Sequence, residues 1–483
     1  MQNRMPLVEA MLKYKNEKVY PFHTPGHKGG RGMEALLKNE LGAGAVAMDV
    51  SLMSELDDIH APSSYIMEAQ NLAAQLYGSD RCFFAINGTT GAIHGMLMAA
   101  CKAGDKVLVP RNAHRSVAGA LLLANLEPVF AMPEYDAVFG INTQITPQAV
   151  EAMFTRHADI KAVLVTSPNY YGQAADLKAI AGIAHAHNAV LLVDEAHGPH
   201  LGFSSKLPPS ALKCGADACA QSTHKILGAM TQCSLLHVKG RRINLTRAAE
   251  AVSLLTTTSP NYLLMASIDA ARYTLAVQGE KLIERALTAA EKLRKCLSKF
   301  AGLKLLDADC TGKNGIAGFD CTKVTVNTAA WGYSGTEAGD ALRKAGIAVE
   351  LTDAQNVLFL VTFADGGAEY DAVLEKISRV FAGLEQHKRA PLKEQNCWKL
   401  PEFVTAVPLR SAFDAGTESL PLQKAEGRIC AEQVSFYPPG IPVLWPGELV
   451  TAEVIDYCLR MKKLRLPVSG PADYTLTELR VIK

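Results

Sequence analysis

The chain has 483 residues, long enough for a large core and for more than one domain. Its 49 basic residues balance 48 acidic ones, and a net charge of +1 leaves no electrostatic footprint for nucleic acid or an anionic membrane. A hydrophobic share of 48%, no apolar run of membrane-spanning length, no signal-peptide core at the N-terminus and 11 scattered cysteines without a C-x-x-C pair point to a globular cytoplasmic protein, with neither a disulfide framework nor a zinc site.

Residues 1–60 read as an arm and loop region, because Pro21-Phe22-His23-Thr24-Pro25-Gly26-His27-Lys28-Gly29-Gly30 is too rich in Pro and Gly for a helix or a central strand. From Pro62 a helix pattern begins, with Ser63 or Ser64 as its cap and Ile66, Ala69, Leu72, Ala73 and Leu76 on one face. Strand signals follow at Cys82–Ile86, Lys106–Val109, Pro128–Met132, Ala162–Thr166, Val190–Val193, Cys219–Ala220 and Ser234–Val238. Helical patterns open at Gly88, at His114 and near 146–157 and 176–187. Such alternation predicts an α/β fold with a mostly parallel seven-stranded sheet and helices on both faces. The last strand follows too closely for a crossover helix, so it is expected to be antiparallel. A long helical stretch covers 260–300, and Val324–Asn327, Ala348–Leu351 and Val357–Phe363 suggest the strands of a smaller α+β domain. A polar segment at Gln386–Gln395 precedes a C-terminal piece centred on Tyr437-Pro438-Pro439-Gly440. The expected division is 1–60 arm, 61–300 large domain, 301–390 small domain and 391–483 C-terminal domain.

Two segments carry the strongest chemical signal. Val193-Asp194-Glu195-Ala196-His197 and Ser222-Thr223-His224-Lys225 each close a short apolar run, so both fall at the polar ends of buried parallel strands, where open α/β sheets hold ligands. An acid and a lysine delivered to one rim suit pyridoxal phosphate. The lysine amine condenses with the aldehyde, and the carboxylate keeps the pyridine nitrogen protonated. Asn87-Gly88-Thr89-Thr90-Gly91-Ala92, between a strand and a helix start, is a phosphate cradle by type, although a threonine cap on an ordinary helix has the same form. His114 lies at another strand-to-helix edge, where an imidazole can stack on a planar cofactor or act as acid or base, or serve as a structural hydrogen-bonder. Gly42-Ala43-Gly44-Ala45-Val46-Ala47 matches a dinucleotide fingerprint but follows a helical segment, so it is set aside. Asp194, Glu195, His197 and His200 lack metalloprotease spacing and predict no metal, and His185 and His187 are expected to be solvated on a surface helix.

In these landmarks the chain resembles the ornithine/lysine/arginine decarboxylases, pyridoxal-phosphate enzymes of fold type I, whose large domain is aspartate aminotransferase-like. The resemblance runs from Pro21-Phe22-His23-Thr24-Pro25-Gly26-His27-Lys28 through Leu56-Asp57-Asp58-Ile59-His60 and Thr256-Thr257-Thr258-Ser259-Pro260 to Tyr437-Pro438-Pro439-Gly440. The receiver-like N-terminal wing of the large inducible members has no counterpart, so the short form is the nearer match. The resemblance implies that Lys225 is the Schiff-base lysine and Asp194 the pyridinium partner, with Gly88, Thr89, Thr90, Ser222 and His224 at the phosphate. It implies that His114 stacks on the ring and Ala196 packs against its other face. Thr257 would reach the neighbouring subunit's site, and Glu448 would lie near the substrate's distal cation. Lys225, His224, His114 and Asp194 are then the catalytic set, with His224 or Lys225 returning a proton to Cα. A homodimer or larger homo-oligomer with shared sites is implied. Ala113 replaces a cysteine found in many members, and His197 a tryptophan found in some larger ones.

The implied reaction is decarboxylation of a basic amino acid to agmatine, cadaverine or putrescine. The short form favours arginine, then lysine, then ornithine. An aminotransferase of the same fold is the first competing reading. Such enzymes usually hold the α-carboxylate with a small-domain arginine, and Val361-Thr362-Phe363-Ala364-Asp365 has none, although Arg111 or Arg410 could substitute. A regulatory member that binds the cofactor without turnover is the second, and the intact set of Lys225, Asp194, Thr89, Thr90 and His114 weighs against it.

Overall fold

The computed structural model describes residues 2–392, 399–437 and 440–483, so Pro438, Pro439 and the end of the Gln386–Gln395 segment lie outside the described residues. The chain forms two compact units: Met1–Ala100, Val190–Ser204 and Pro209–Leu282 make the first, and Cys101–Ala189, Ser205–Pro208 and Ile283–Lys483 the second.

All seven expected strands form: β1 (Arg81–Ala85), β2 (Lys106–Pro110), β3 (Glu127–Ala131), β4 (Ile160–Thr166), β5 (Val190–Asp194), β6 (Ala218–Ser222) and β7 (Ser234–Val238). The first unit holds four of them, in the order β1-β7-β6-β5, and the second holds three, in the order β4-β2-β3. β5 and β6 are parallel, as are β2 with β3 and β2 with β4. β7 runs antiparallel to both β6 and β1, as its short connection requires. Every residue of β5, β6 and β7 is buried, which is why these strands read as apolar runs rather than as alternating ones.

In the first unit the N-terminal region differs from the expected arm. Pro6–Glu17 is a helix whose Leu7, Ala10 and Met11 are buried in a core with Leu56, Ile66, Phe84 and Tyr262. Apolar residues at helical spacing, with proline at its N-terminal end, account for it. The helix Tyr65–Tyr77 begins after Ser64, but neither Ser63 nor Ser64 caps it. The Asp57 carboxylate takes that role, accepting from the backbone N–H groups of Ser63, Ser64 and Ile66 at 3.0, 2.9 and 2.9 Å. These bonds hold its pKa below the usual carboxylate value although burial opposes them. Gly42 follows the helix Ala35–Leu41, so the dinucleotide-like run has no strand before it.

The cores among the described residues of the second unit include two formed largely by its C-terminal half. In one, the antiparallel sheet Lys304–Leu306, Lys323–Asn327, Asn356–Leu360 and Leu351–Thr352 packs with the helices Gly335–Lys344 and Ala368–Gln386 around Val324, Trp331, Val357 and Phe381. The expected strand at Ala348–Leu351 shrinks to Leu351–Thr352. Val357–Phe363 ends at Leu360, because the Asp365 carboxylate turns the chain by accepting from Thr362 N–H at 2.8 Å. The other core, around Val434, Phe436, Leu444, Cys458 and Leu479, joins the small sheets of residues 417–482. His187, expected to be solvated, stacks on Phe154 with ring centres 4.4 Å apart and meets Glu151 at 3.1 Å.

Candidate active site

Lys225, Asp194 and the hydroxyl cradle all belong to the first unit. Asp194 ends β5 and Ser222 ends β6, and Asp194 lies level with Ala220 in their parallel register. Lys225 follows in the short helix Thr223–Ile226. The chain thus delivers the carboxylate and the amine to one strand-end rim.

Asp194 is 3% exposed. Burial pushes its carboxyl pKa up, while the Lys225 charge and the Ala196 N–H, at 3.2 Å, pull it back. The Lys225 Nζ stands 3.1 Å from His197 Nε2, so the imidazole is placed to accept a proton from the amine. His197, noted in sequence only in the rejected metal cluster and as the replacement for a tryptophan, thereby gains a direct contact with the reactive amine. Beneath the rim, the Glu195 carboxyl is pushed up to about 7 by burial. It accepts from Gln221 Nε2 and Ala211 N–H, each at 2.7 Å.

The cradle starts at Gly88, whose φ of +67° suits glycine at the turn from β1 into the helix Gly88–Ala100. Thr89 opens that helix and is buried. Its hydroxyl is hydrogen-bonded to Ser222 Oγ and lies 2.9 Å from Ser234 Oγ. Ser234 entered the sequence reading only as the start of a strand, not as a site residue. The register of β6 and β7 sets it opposite Ser222, a pairing that the antiparallel expectation alone could have suggested. Thr90 is exposed on the same turn. His224 Nδ1 donates to the Cys233 carbonyl at 2.8 Å, so a neutral His224 presents Nε2 as an acceptor, and only the imidazolium can donate to an anion. The Thr223 hydroxyl is buried and has no hydrogen-bond partner among the described residues.

These groups fit pyridoxal phosphate. A desolvated carboxylate calls for a positive partner such as a protonated ring nitrogen, the lysine amine is a nucleophile for an aldehyde, and hydroxyls at a helix start suit a phosphate.

The other candidate residues are placed differently. Thr257 is exposed in the first unit, and its carbonyl meets His60 Nε2 at 3.1 Å, which ties the Leu56–His60 motif to the 256–260 loop. In the second unit, His114 caps the helix Arg115–Leu123, with Nδ1 accepting from Ser116 N–H at 3.2 Å. Glu448 has a partner other than the one expected. It is 1% exposed, its Oε2 accepts from Arg111 Nη2 at 2.7 Å and from Trp445 N–H at 2.8 Å, and Arg111 is ringed by Phe130, Phe403 and Trp445. Burial pushes Glu448 up and Arg111 down, and their pairing pulls each back. Arg111 is therefore engaged within its own unit. Arg410 is exposed and bonded to Asp414 at 2.7 Å, so neither arginine takes the place of a dedicated carboxylate clamp.

The Orn/Lys/Arg decarboxylase major-domain family matches residues 5–369, and its C-terminal domain matches residues 401–470. The chain belongs to the Orn/Lys/Arg decarboxylase family. An arginine decarboxylase of Bacillus anthracis is 41% identical, with 100% of this chain and 98% of that protein aligned. Among solved structures, the lysine decarboxylase LdcF of Francisella novicida superposes with a TM-score of 0.85 at 24% identity, covering 100% of this chain and 81% of its own. A structure of SPT with PLP superposes with a TM-score of 0.51 at 18% identity, over 66% of this chain and 76% of that one. These likenesses establish fold type I, and family membership makes the chain a carboxy-lyase by class.

Proposed function

We propose that this decarboxylase acts on arginine with pyridoxal 5′-phosphate as cofactor. The observation that carries the cofactor is the buried Asp194 carboxylate on the same rim as Lys225, beside the Thr89–Ser222 hydroxyls. The full-length 41% identity to an arginine decarboxylase supports the substrate, with lysine next. The cofactor supplies an aldehyde that condenses with amines and a ring that accepts the electron pair released when carbon dioxide leaves.

The chain's own residues do the rest. Lys225 must exchange with the substrate amine, and His197 Nε2, at 3.1 Å, takes and returns the proton this requires. Asp194 holds positive charge on the ring nitrogen, which keeps the ring electron-poor. Lys225 is favoured over His224 as the donor that returns a proton to Cα, because the Nδ1 of His224 is committed to the Cys233 carbonyl. His114 and Ala196 would flank the bound cofactor and Thr257 would reach a neighbouring copy. The division into large, small and C-terminal domains remains part of this reading, with the N-terminal helix packed into a core rather than forming an arm. The separate cores around Phe381 and Leu444 support that division. Glu448 is not carried forward as a substrate ligand.

We also read the protein as a cytoplasmic homodimer. The helix Ala35–Leu41 buries none of its residues and exposes Leu36, Leu37 and Leu41, which supports a covering second copy. Incubation with arginine should release carbon dioxide and agmatine without keto acid, and an absorbance band at about 420 nm should vanish in Lys225→Ala. Stoichiometric keto acid would establish an aminotransferase instead. Turnover higher on lysine than on arginine would reassign the substrate.

A further inference from the structure

The three hydroxyls at the cradle form a chain whose proton direction is fixed. Ser234 Oγ lies 2.7 Å from the Gln221 backbone carbonyl, which can only accept, so the single Ser234 proton points there. The 2.9 Å contact between Thr89 and Ser234 must then be donated by Thr89. With the Thr89 proton spent, its hydrogen bond with Ser222 is donated by Ser222. The order is Ser222 to Thr89 to Ser234 to the Gln221 carbonyl, and each hydroxyl directs its proton inward. Ser222 and Ser234 are fully buried and Thr89 is 8% exposed, so bulk water does not compete for these bonds.

A phosphate dianion needs donors. While the chain is intact, Thr89 and Ser222 offer lone pairs to the cradle, and Ser222 must break its bond to Thr89 before it can donate outward. We propose that Ser234 is a positioning residue that sets this direction and so lowers the affinity of the cradle for phosphate. The inference rests on the cofactor reading above and deepens it, since it concerns how the same site grips its phosphate. Without the Ser234 hydroxyl, Thr89 turns its proton to Ser222, and Ser222 is released to donate to the anion. The deletion thus tightens phosphate binding, whereas loss of a merely structural hydroxyl would loosen it or leave it unchanged.

The test compares the full-length wild type with Ser234→Ala, Ser234→Cys and Ser234→Thr. Each apoprotein is titrated with pyridoxal phosphate and, separately, with pyridoxal, which lacks the phosphate, following the band at about 420 nm. Ser234→Ala should bind pyridoxal phosphate roughly 3- to 10-fold tighter, the worth of one hydrogen bond no longer in competition, with pyridoxal unchanged. Ser234→Cys fills the same space with a poor acceptor and should shift in the same direction, which serves if the alanine variant does not fold. Ser234→Thr restores the hydroxyl and should match wild type. Weaker or unchanged binding of pyridoxal phosphate in Ser234→Ala and Ser234→Cys, or equal shifts for both compounds, would overturn the proposal. A wild type with no band that Lys225→Ala removes would reject the cofactor reading itself, and this inference with it.

Discussion

At the scale of single residues, the site holds two neighbouring carboxyls with different tasks. Asp194 is desolvated and its pKa raised, so ionisation costs stability unless a cation faces it. Asp194→Asn should therefore lower turnover by roughly 10²–10³-fold, while the cofactor-free variant melts no lower than wild type. A lower melting temperature with activity retained would remove the ring-nitrogen role. Glu195 follows from the same physics without chemistry. Burial pushes its pKa from the ordinary 4.5 up to about 7, so the folded state keeps a proton that the unfolded state loses. The stability this protonation contributes is fully present below about pH 4.5 and is lost as pH rises through about 7. Glu195→Gln should flatten the fall of melting temperature across that window, and an unchanged slope would show that Glu195 does not titrate there. The neighbouring letters in sequence gave no hint of this division, because it depends on the burial of Glu195, which outweighs the Gln221 and Ala211 donors that favour its charged form.

At the scale of elements, the buried strands were legible because β5, β6 and β7 are covered on both sides and so appear as apolar runs. The Asp194–Lys225 pair was legible for the same reason, since each residue ends or follows such a run. Contacts made across the fold were not. The cap of the helix Tyr65–Tyr77 comes from Asp57 rather than from the serines beside it. Glu448 meets Arg111 across 337 positions of sequence, a pairing that no local pattern announces. That pairing makes Glu448 a fastener between the end of β2 and the C-terminal segment. Glu448→Gln should lower stability by about 3–5 kcal/mol, the usual cost of breaking a buried ion pair. Thermal or urea denaturation measures this, and the KM for arginine should stay within about two-fold because a two-fold change is under 0.5 kcal/mol. A large KM change without destabilisation would return Glu448 to the substrate site.

At the scale of the whole molecule, the exposed apolar side chains of the N-terminal region stand out. Tyr20, Phe22, Leu36, Leu37 and Leu41 are between 52% and 90% exposed, the first two in or beside the Pro- and Gly-rich motif that the sequence marked without explaining and the leucines on the helix that follows it. In the homodimer proposed above, a second copy covering them would give that motif a use. Leu36→Glu combined with Leu41→Glu should shift sedimentation from dimer toward monomer at micromolar concentration. Sedimentation equal to that of wild type would place the interface elsewhere. The sequence could not show this, since an exposed leucine and a buried one look alike until the helix is seen to bury nothing.

The ring of Phe130, Phe403 and Trp445 around Arg111 bears on how the protein is made. Arg111 emerges from the ribosome 337 residues ahead of Glu448, its anionic partner, and well ahead of Phe403 and the Val443 carbonyl, which complete its surroundings. Until Glu448 has emerged, burying Arg111 would leave its charge without a compensating anion, which disfavours closing the second unit's core around that position. Synthesis through Glu448, rather than appearance of the early strands, is expected to release this part of the protein to fold. Ribosome-stalled chains lacking residues 443–448 should stay protease-sensitive around Arg111, where the folded chain that includes them should be protected.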